Sequence, residues 1–177
     1  MTTKTTVILL TIIAMVSGCA SNGPHTYQPP QSGPMATVNL FAPTIQSSAA
    51  NSEIDFEVFA INPDCSLYSR GFVQLTPTNF NRPIKVVAGE ALFVRLDYFQ
   101  TDIVLARNSR GEVKFAIEPV SGKSYTVEYK GTGTRFDMDV WEGSPSDKVQ
   151  GKPVVPLEWN ERNGKVLYRG NLKCSQK

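Results

Sequence analysis

The feature that most constrains this chain is an alternation of apolar and polar residues with a period of two, repeated from Met35 almost to the C-terminus. Successive side chains of an extended strand point to opposite faces, so a segment that alternates in this way buries one face and wets the other. Ile54, Phe56, Val58 and Ala60 fall on one face, with Asp55, Glu57 and Phe59 on the other. Val113, Phe115 and Ile117 alternate with Lys114, Ala116 and Glu118, and Tyr125, Val127 and Tyr129 with Thr126, Glu128 and Lys130. Phe136, Met138 and Val140 alternate with Asp137, Asp139 and Trp141. The pattern predicts further strands at Ala36–Phe41, Gly71–Leu75, Pro83–Val87, Ala91–Tyr98, Asp102–Ala106 and Val166–Leu172.

Turn chemistry separates these runs: Asn62-Pro63-Asp64, Ala88-Gly89-Glu90, Asn108-Ser109-Arg110-Gly111, Ser121-Gly122-Lys123, Gly131-Thr132-Gly133 and Asn163-Gly164, the last suited to a tight hairpin. No window carries a helical stripe with caps. Short strands at this spacing predict an all-β protein, a single antiparallel β-sandwich over residues 35–177, with an open barrel as the alternative. Asp147–Trp159, which contains Pro153 and Pro156, reads as a long loop crossing one edge.

Hydrophobic residues make up 41% of the 177, enough for one packed core. The net charge is +2, and no block of like charges occurs, so long-range attraction to nucleic acid is excluded as a partner class. The single histidine, His25, precedes the alternating region. Catalysis by a Ser–His–Asp or Cys–His arrangement, and zinc binding by histidine and cysteine, therefore lack their ligands; the expectation is no catalytic residue, no metal and no cofactor. Asp137 with Asp139, and Asp55 with Glu57, are carboxylates two apart on one strand face. They could form an acid/base pair, but alternation with apolar neighbours fits a solvated strand face.

Residues 1–18 open with Lys4 and continue as an apolar run from Thr5 to Val16, too short to span a bilayer as a helix and of the length of a secretory signal. Val16-Ser17-Gly18-Cys19 resembles the lipobox of bacterial lipoproteins. The resemblance implies cleavage before Cys19, diacylglycerol on its sulfur and an acyl chain on its amino group. These chains are the only non-protein groups expected, and they make the lipid bilayer a partner through Cys19. Two or more acyl chains make a stable anchor where one does not. The absence of aspartate after Cys19 implies, by the same resemblance, the periplasmic face of the outer membrane of a Gram-negative cell.

Residues 19–34 read ASNGPHTYQPPQSGP after the cysteine, and their prolines, glycines and small polar residues predict a disordered tether. With Cys19 lipidated, Cys65 and Cys174 remain in an oxidising compartment, and one disulfide between them is expected, two free thiols being the alternative. Among the aromatics, Trp159 and Phe80 fall in segments read as loops and Trp141 on a strand, and these three are the candidate binding residues.

Val86–Arg95, Phe115–Pro119 and Gly122–Val127 together resemble small bacterial lipoproteins with a transthyretin- or immunoglobulin-like sandwich. The layout implies a non-enzymatic interaction or assembly module that binds another cell-envelope protein. A glycan or small-ligand module using an aromatic groove, and an inhibitor of a host or rival hydrolase, are the alternatives. Nothing in the sequence specifies an oligomeric state.

Overall fold

The computed structural model describes residues 25–47, 51–102, 107–132, 135–157, 159–162 and 164–168. The alternating segments become β1 (Met35–Phe41), β2 (Asn51–Ile61), β3 (Leu67–Leu75), β4 (Asn81–Val87), β5 (Leu92–Asp102), β6 (Arg107–Ile117), β7 (Ser124–Thr132) and β8 (Arg135–Glu142). Three short strands follow: β9 (Lys152–Pro153), β10 (Trp159–Arg162) and β11 (Lys165–Tyr168). Helical structure among the described residues is confined to two 3₁₀ turns, Pro43–Ser47 and Pro145–Asp147.

One sheet has the order β4-β1-β7-β8-β9, and the other β3-β2-β5-β6, with β10 and β11 forming a separate hairpin. Every neighbouring pair is antiparallel except β1 with β7, whose wide separation in sequence supplies the long connection that parallel pairing needs. The protein is thus an all-β sandwich, as the alternation predicts. An immunoglobulin constant domain places its first, second, fifth and fourth strands in one sheet. Here β1 and β2 lie in different sheets, so the strand order differs from that of the constant domain.

The two inner faces are the apolar halves of the alternation. Val38, Leu40, Val127 and Tyr129 from one sheet meet Ile54, Phe56, Val94, Leu96 and Ile117 from the other, all buried in one continuous cluster. The Tyr98 and Tyr129 rings pack across the gap with centroids 5.5 Å apart. The period-two reading of β2 holds only to Val58. A bulge follows, where Val58 pairs with Gly71 and Phe59 with Ser69, leaving Arg70 as the extra residue. Ala60 is consequently half-exposed rather than part of the core face.

Three segment assignments differ from expectation. Asn108-Ser109-Arg110-Gly111, expected as a turn, is strand, paired residue by residue with Tyr98–Thr101 of β5. Pairing with a long neighbouring strand outweighs the local turn preference of those residues. Asp102 closes β5 instead of opening its own strand, and the rest of that segment, 103–106, lies outside the described residues. Within the expected Asp147–Trp159 loop, Lys152 and Pro153 pair with Glu142 and Trp141, and Trp159 begins β10. Arg162 pairs with Lys165 and Gly164 has φ +72°, as a tight hairpin at Asn163-Gly164 requires, while Asn163 itself lies outside the described residues.

Candidate interaction surfaces

A two-sheet sandwich has two open sides, where the edge strands of the sheets face each other. On one side β3 lies beside β4; on the other β6 lies beside β8. The two are finished in different ways.

The β3/β4 side is closed by residues expected to belong to the tether. His25 accepts from Phe72 N–H through its carbonyl at 2.8 Å, and Tyr27 N–H donates to the Phe72 carbonyl at 2.9 Å. Thr26 thereby forms a parallel bridge with Phe72 at the edge of β3. The local sequence of β3 permits this approach. Gly71 has φ +113°, and a Cβ there would sit 2.6 Å from the His25 carbonyl oxygen. Only glycine allows the two backbones so close in that conformation. Tyr27 then turns inward, 9% exposed, and joins the main core. Its hydroxyl donates to the Lys85 carbonyl of β4 at 2.7 Å. One residue therefore bridges both edge strands, through its backbone to β3 and its hydroxyl to β4. Burial pushes that hydroxyl up to about 12, although the nearby Arg70 guanidinium pulls it down. The expected tether 19–34 thus contains a docked segment, His25–Tyr27.

Beside the docked segment lies a cleft of about 320 Å³ lined by Thr26, Asp55, Phe72, Val73, Gln74 and Arg82. Burial raises the Asp55 carboxyl above its ordinary value; a hydrogen bond from Gln74 opposes this, while Glu53 and Asp97 reinforce it. Its sequence neighbour Glu57 is nearly buried and ion-paired with Arg95. Asp55 and Glu57 therefore occupy unlike environments. Asp139 is held low by its hydrogen bond to Lys130, whereas Asp137 accepts from Met138 N–H on the surface. Neither pair converges on a shared site, and no group of three or more metal-ligating side chains is found among the described residues.

The β6/β8 side is less covered among the described residues. Leu157 N–H donates to the Ala116 carbonyl at 2.7 Å, which places the polar backbone groups of Ala116 on the free side of β6. The backbone groups of Lys114 and Glu112 share that side by the alternation of an antiparallel strand. No segment pairs with them among the described residues. Next to β8, the turn Ser144–Gly151 folds over the outer face of its sheet. Asp147 accepts from both the backbone and the hydroxyl of Ser144, which hold its carboxyl low. Lys148 in that turn pairs with Glu128, a nearly buried carboxylate. Val149 and Val155 project from this region, 98% and 87% exposed.

The three aromatic candidates are all packed. Trp141, 3% exposed, donates from its indole N–H to the Ser144 carbonyl at 3.1 Å and carries Lys148 over its ring at 5.5 Å. A Cβ on Gly151 would collide with that indole. Phe80 packs on the main core and lies 6.0 Å from the Phe41 ring. Trp159, expected at a loop tip, is half-buried in β10 with its ring edge-on to Phe93 at 5.2 Å and Lys114 at 5.8 Å from its centroid. Its indole N–H is buried with no acceptor among the described residues. The three residues lie at three separate places and form no shared groove.

The β10–β11 hairpin covers a second apolar cluster on the outer face of the second sheet, where Val166 is fully buried with Phe93 and Ala116. It is also fastened to the β2–β3 turn. Val166 N–H donates to the Cys65 carbonyl at 2.8 Å, and Ser66 bridges Lys165. Cys65 occupies the left-handed position of that turn, with φ 69°, after a tight turn closed by its N–H on the Asn62 carbonyl at 2.9 Å. Its sulfur is disulfide-bonded. Cys19 and Cys174 lie outside the described residues.

No family model matches the chain, and neither a curated protein nor a solved structure is detectably similar to it.

Proposed function

We propose that this chain is a lipid-anchored, non-enzymatic envelope module, held by acyl chains on Cys19 at the periplasmic face of the outer membrane, that binds a partner protein along its open β6/β8 side. The carrying observation is the unequal treatment of the two sides. The docked N-terminal segment occupies the β3/β4 side, next to the anchor. Among the described residues, the backbone donors and acceptors of the long β6 edge beyond Ala116 have no partner. An exposed strand edge is a template for pairing with another chain, and strand addition is a recurring mode of peptide recognition.

The reading includes a Cys65–Cys174 disulfide. Only five residues separate Tyr168 from Cys174, and β11 is already fastened at Cys65. Closing a loop of about 110 residues adds roughly 4–5 kcal/mol in the chain-entropy account. It also offsets the cost of a β-carbon in the left-handed region at Cys65, about 1 kcal/mol.

Metabolic labelling with a fatty-acid analogue, followed by mass measurement of the mature N-terminal peptide, tests the anchor. The expected result is label on a peptide beginning at Cys19. A native protein whose Cys19 sulfur is bare, or which begins at another residue, contradicts the proposal.

A further inference from the structure

We infer that the β6 edge pairs with β6 of a second copy of this chain, antiparallel, about a two-fold axis at Gly111. This rests on the reading of the β6/β8 side as the recognition side, and it names the partner. Three observations carry it.

The first is the state of the sheet edges. β4 is blunted by Pro83 and β9 by Pro153, and β3 is met at Phe72 by the docked His25–Tyr27 segment. Proline on an edge and a covering segment both discourage strand pairing. β6 contains no proline, and its ladder with β5 runs without a register shift from Leu92↔Ile117 to Asp102↔Arg107. Ala116 turns its carbonyl outward to Leu157, so the backbone groups of Asn108, Arg110, Glu112 and Lys114 face the same way. Leu157 ends the uncovered run at Ala116, and the middle of Asn108–Lys114 is Gly111.

The second is the cover of the core beside that edge. Val113 of β6 and Met138 of β8 stand at core-face positions of the alternation, yet both are only half-buried. Val38, Ile54, Val94 and Val127, at the same kind of position on inner strands, are fully buried. Apolar surface therefore stays in contact with water where the two sheets meet on this side, and a strand laid against β6 would cover Val113.

The third is the order of charges along the edge. A single repeated sign would repel a second copy, but here the signs alternate as Arg110, Glu112, Lys114. Opposite charges facing each other across a ladder attract, and like charges repel. Pairing about Gly111 sets Arg110 of each copy opposite Glu112 of the other, and Asn108 opposite Lys114. Within one copy Glu112 already pairs with Lys114 at 2.9 Å, so the contact extends an existing ion pair across the axis. Sliding the second copy by two residues one way sets Glu112 against Glu112 and Arg110 against Lys114. Sliding it by two the other way sets Arg110 against Arg110. A larger slide, centred on Val113, sets Arg110 against Ala116, whose carbonyl Leu157 already takes. The Gly111 register alone among these joins opposite charges and leaves Leu157 in place. It gains about eight backbone hydrogen bonds, each contact being made twice by the two-fold symmetry.

The test is sedimentation equilibrium of the full mature chain, in a neutral detergent matched in density to the solvent so that protein mass alone is read. The expected result is a reversible dimer. Glu112→Arg sets arginine against Arg110, and Arg110→Glu sets glutamate against Glu112, so each change should weaken the dimer by about tenfold or more. An equimolar mixture of the two variants should restore it, because arginine then faces glutamate at both places. That rescue also shows that both variants are folded. A dimer that neither change weakens, or a mixture that stays monomeric, overturns the pairing about Gly111. A wild-type chain that is monomeric at every concentration overturns the second copy as partner. The recognition side then still stands if a photoreactive residue at position 112 captures a different protein in intact cells, and falls with the inference if it captures none.

Discussion

The two open sides of this sandwich face the same physical problem and meet it differently. An edge strand carries unpaired N–H and C=O groups, which must find partners or water. On the β3/β4 side they are met from within the chain: His25 and Tyr27 bond to Phe72, and the Tyr27 hydroxyl reaches the Lys85 carbonyl. On the β6/β8 side a single bond from Leu157 to Ala116 is followed by strand whose outward groups have no partner among the described residues. A few N-terminal residues close one edge, while the longer edge has outward groups without partners among the described residues; in the proposed function the first side serves attachment and the second recognition.

The comparison is most readily broken at Tyr27. Replacing it with alanine removes a buried aromatic and the bond joining the two edge strands, and should cost about 3–4 kcal/mol in chemical unfolding. A loss near zero would mean that the N-terminal segment does not close the side at all. Gly71→Ala acts on the same contact without touching the core. Its Cβ would meet backbone rather than a movable side chain, so the segment must undock or β3 must shift, for about 2–3 kcal/mol. Proteolysis near His25 should accelerate in that variant and leave the β6 side unaffected.

A third prediction uses pH. The folded Tyr27 hydroxyl is raised to about 12 from its ordinary 10.0. A raised pKa stabilises the folded protein fully below the unfolded value and is lost as pH climbs through the folded one. Stability should therefore fall between about pH 10 and pH 12, and Tyr27→Phe should flatten part of that fall. Buried Tyr98 and Tyr129 are raised as well and supply the remainder. At neutral pH the same change should cost only about 1 kcal/mol, the worth of one hydrogen bond. The smallest effect is expected on the other side. Glu112→Pro removes an outward N–H from β6 but no bond to β5, and the Glu112–Lys114 ion pair it breaks is exposed. Its stability cost should stay below about 1 kcal/mol, while partner capture is lost.

The inner faces were legible because alternation reports burial directly. Val38, Ile54, Phe56, Val127 and Tyr129 are core residues in sequence pattern and structure alike. Pairing was not legible. The parallel β1–β7 contact joins segments some ninety residues apart, and no local signal marks it. Asn108–Gly111 look like a turn because turn preference is local, whereas the ladder with β5 that overrides it is not. Tyr27 was missed for the same reason. It stands among prolines and glutamines with no alternating neighbours, and its burial depends on a bulge at Gly71, forty-four residues away. The aromatic candidates differ in the opposite sense. Trp159 and Phe80 stand out as aromatics in segments read as loops and Trp141 as one on a strand, and each packs against its own sheet or turn.

The account's central claim is the division of labour between the two sides, and site-specific photocrosslinking in intact cells tests it most directly. A photoreactive residue at position 112, on the β6 edge, should give a discrete protein adduct, whereas one at position 82, beside the docked segment, should give no protein adduct. A protein adduct at position 82 with none at position 112 would contradict the account.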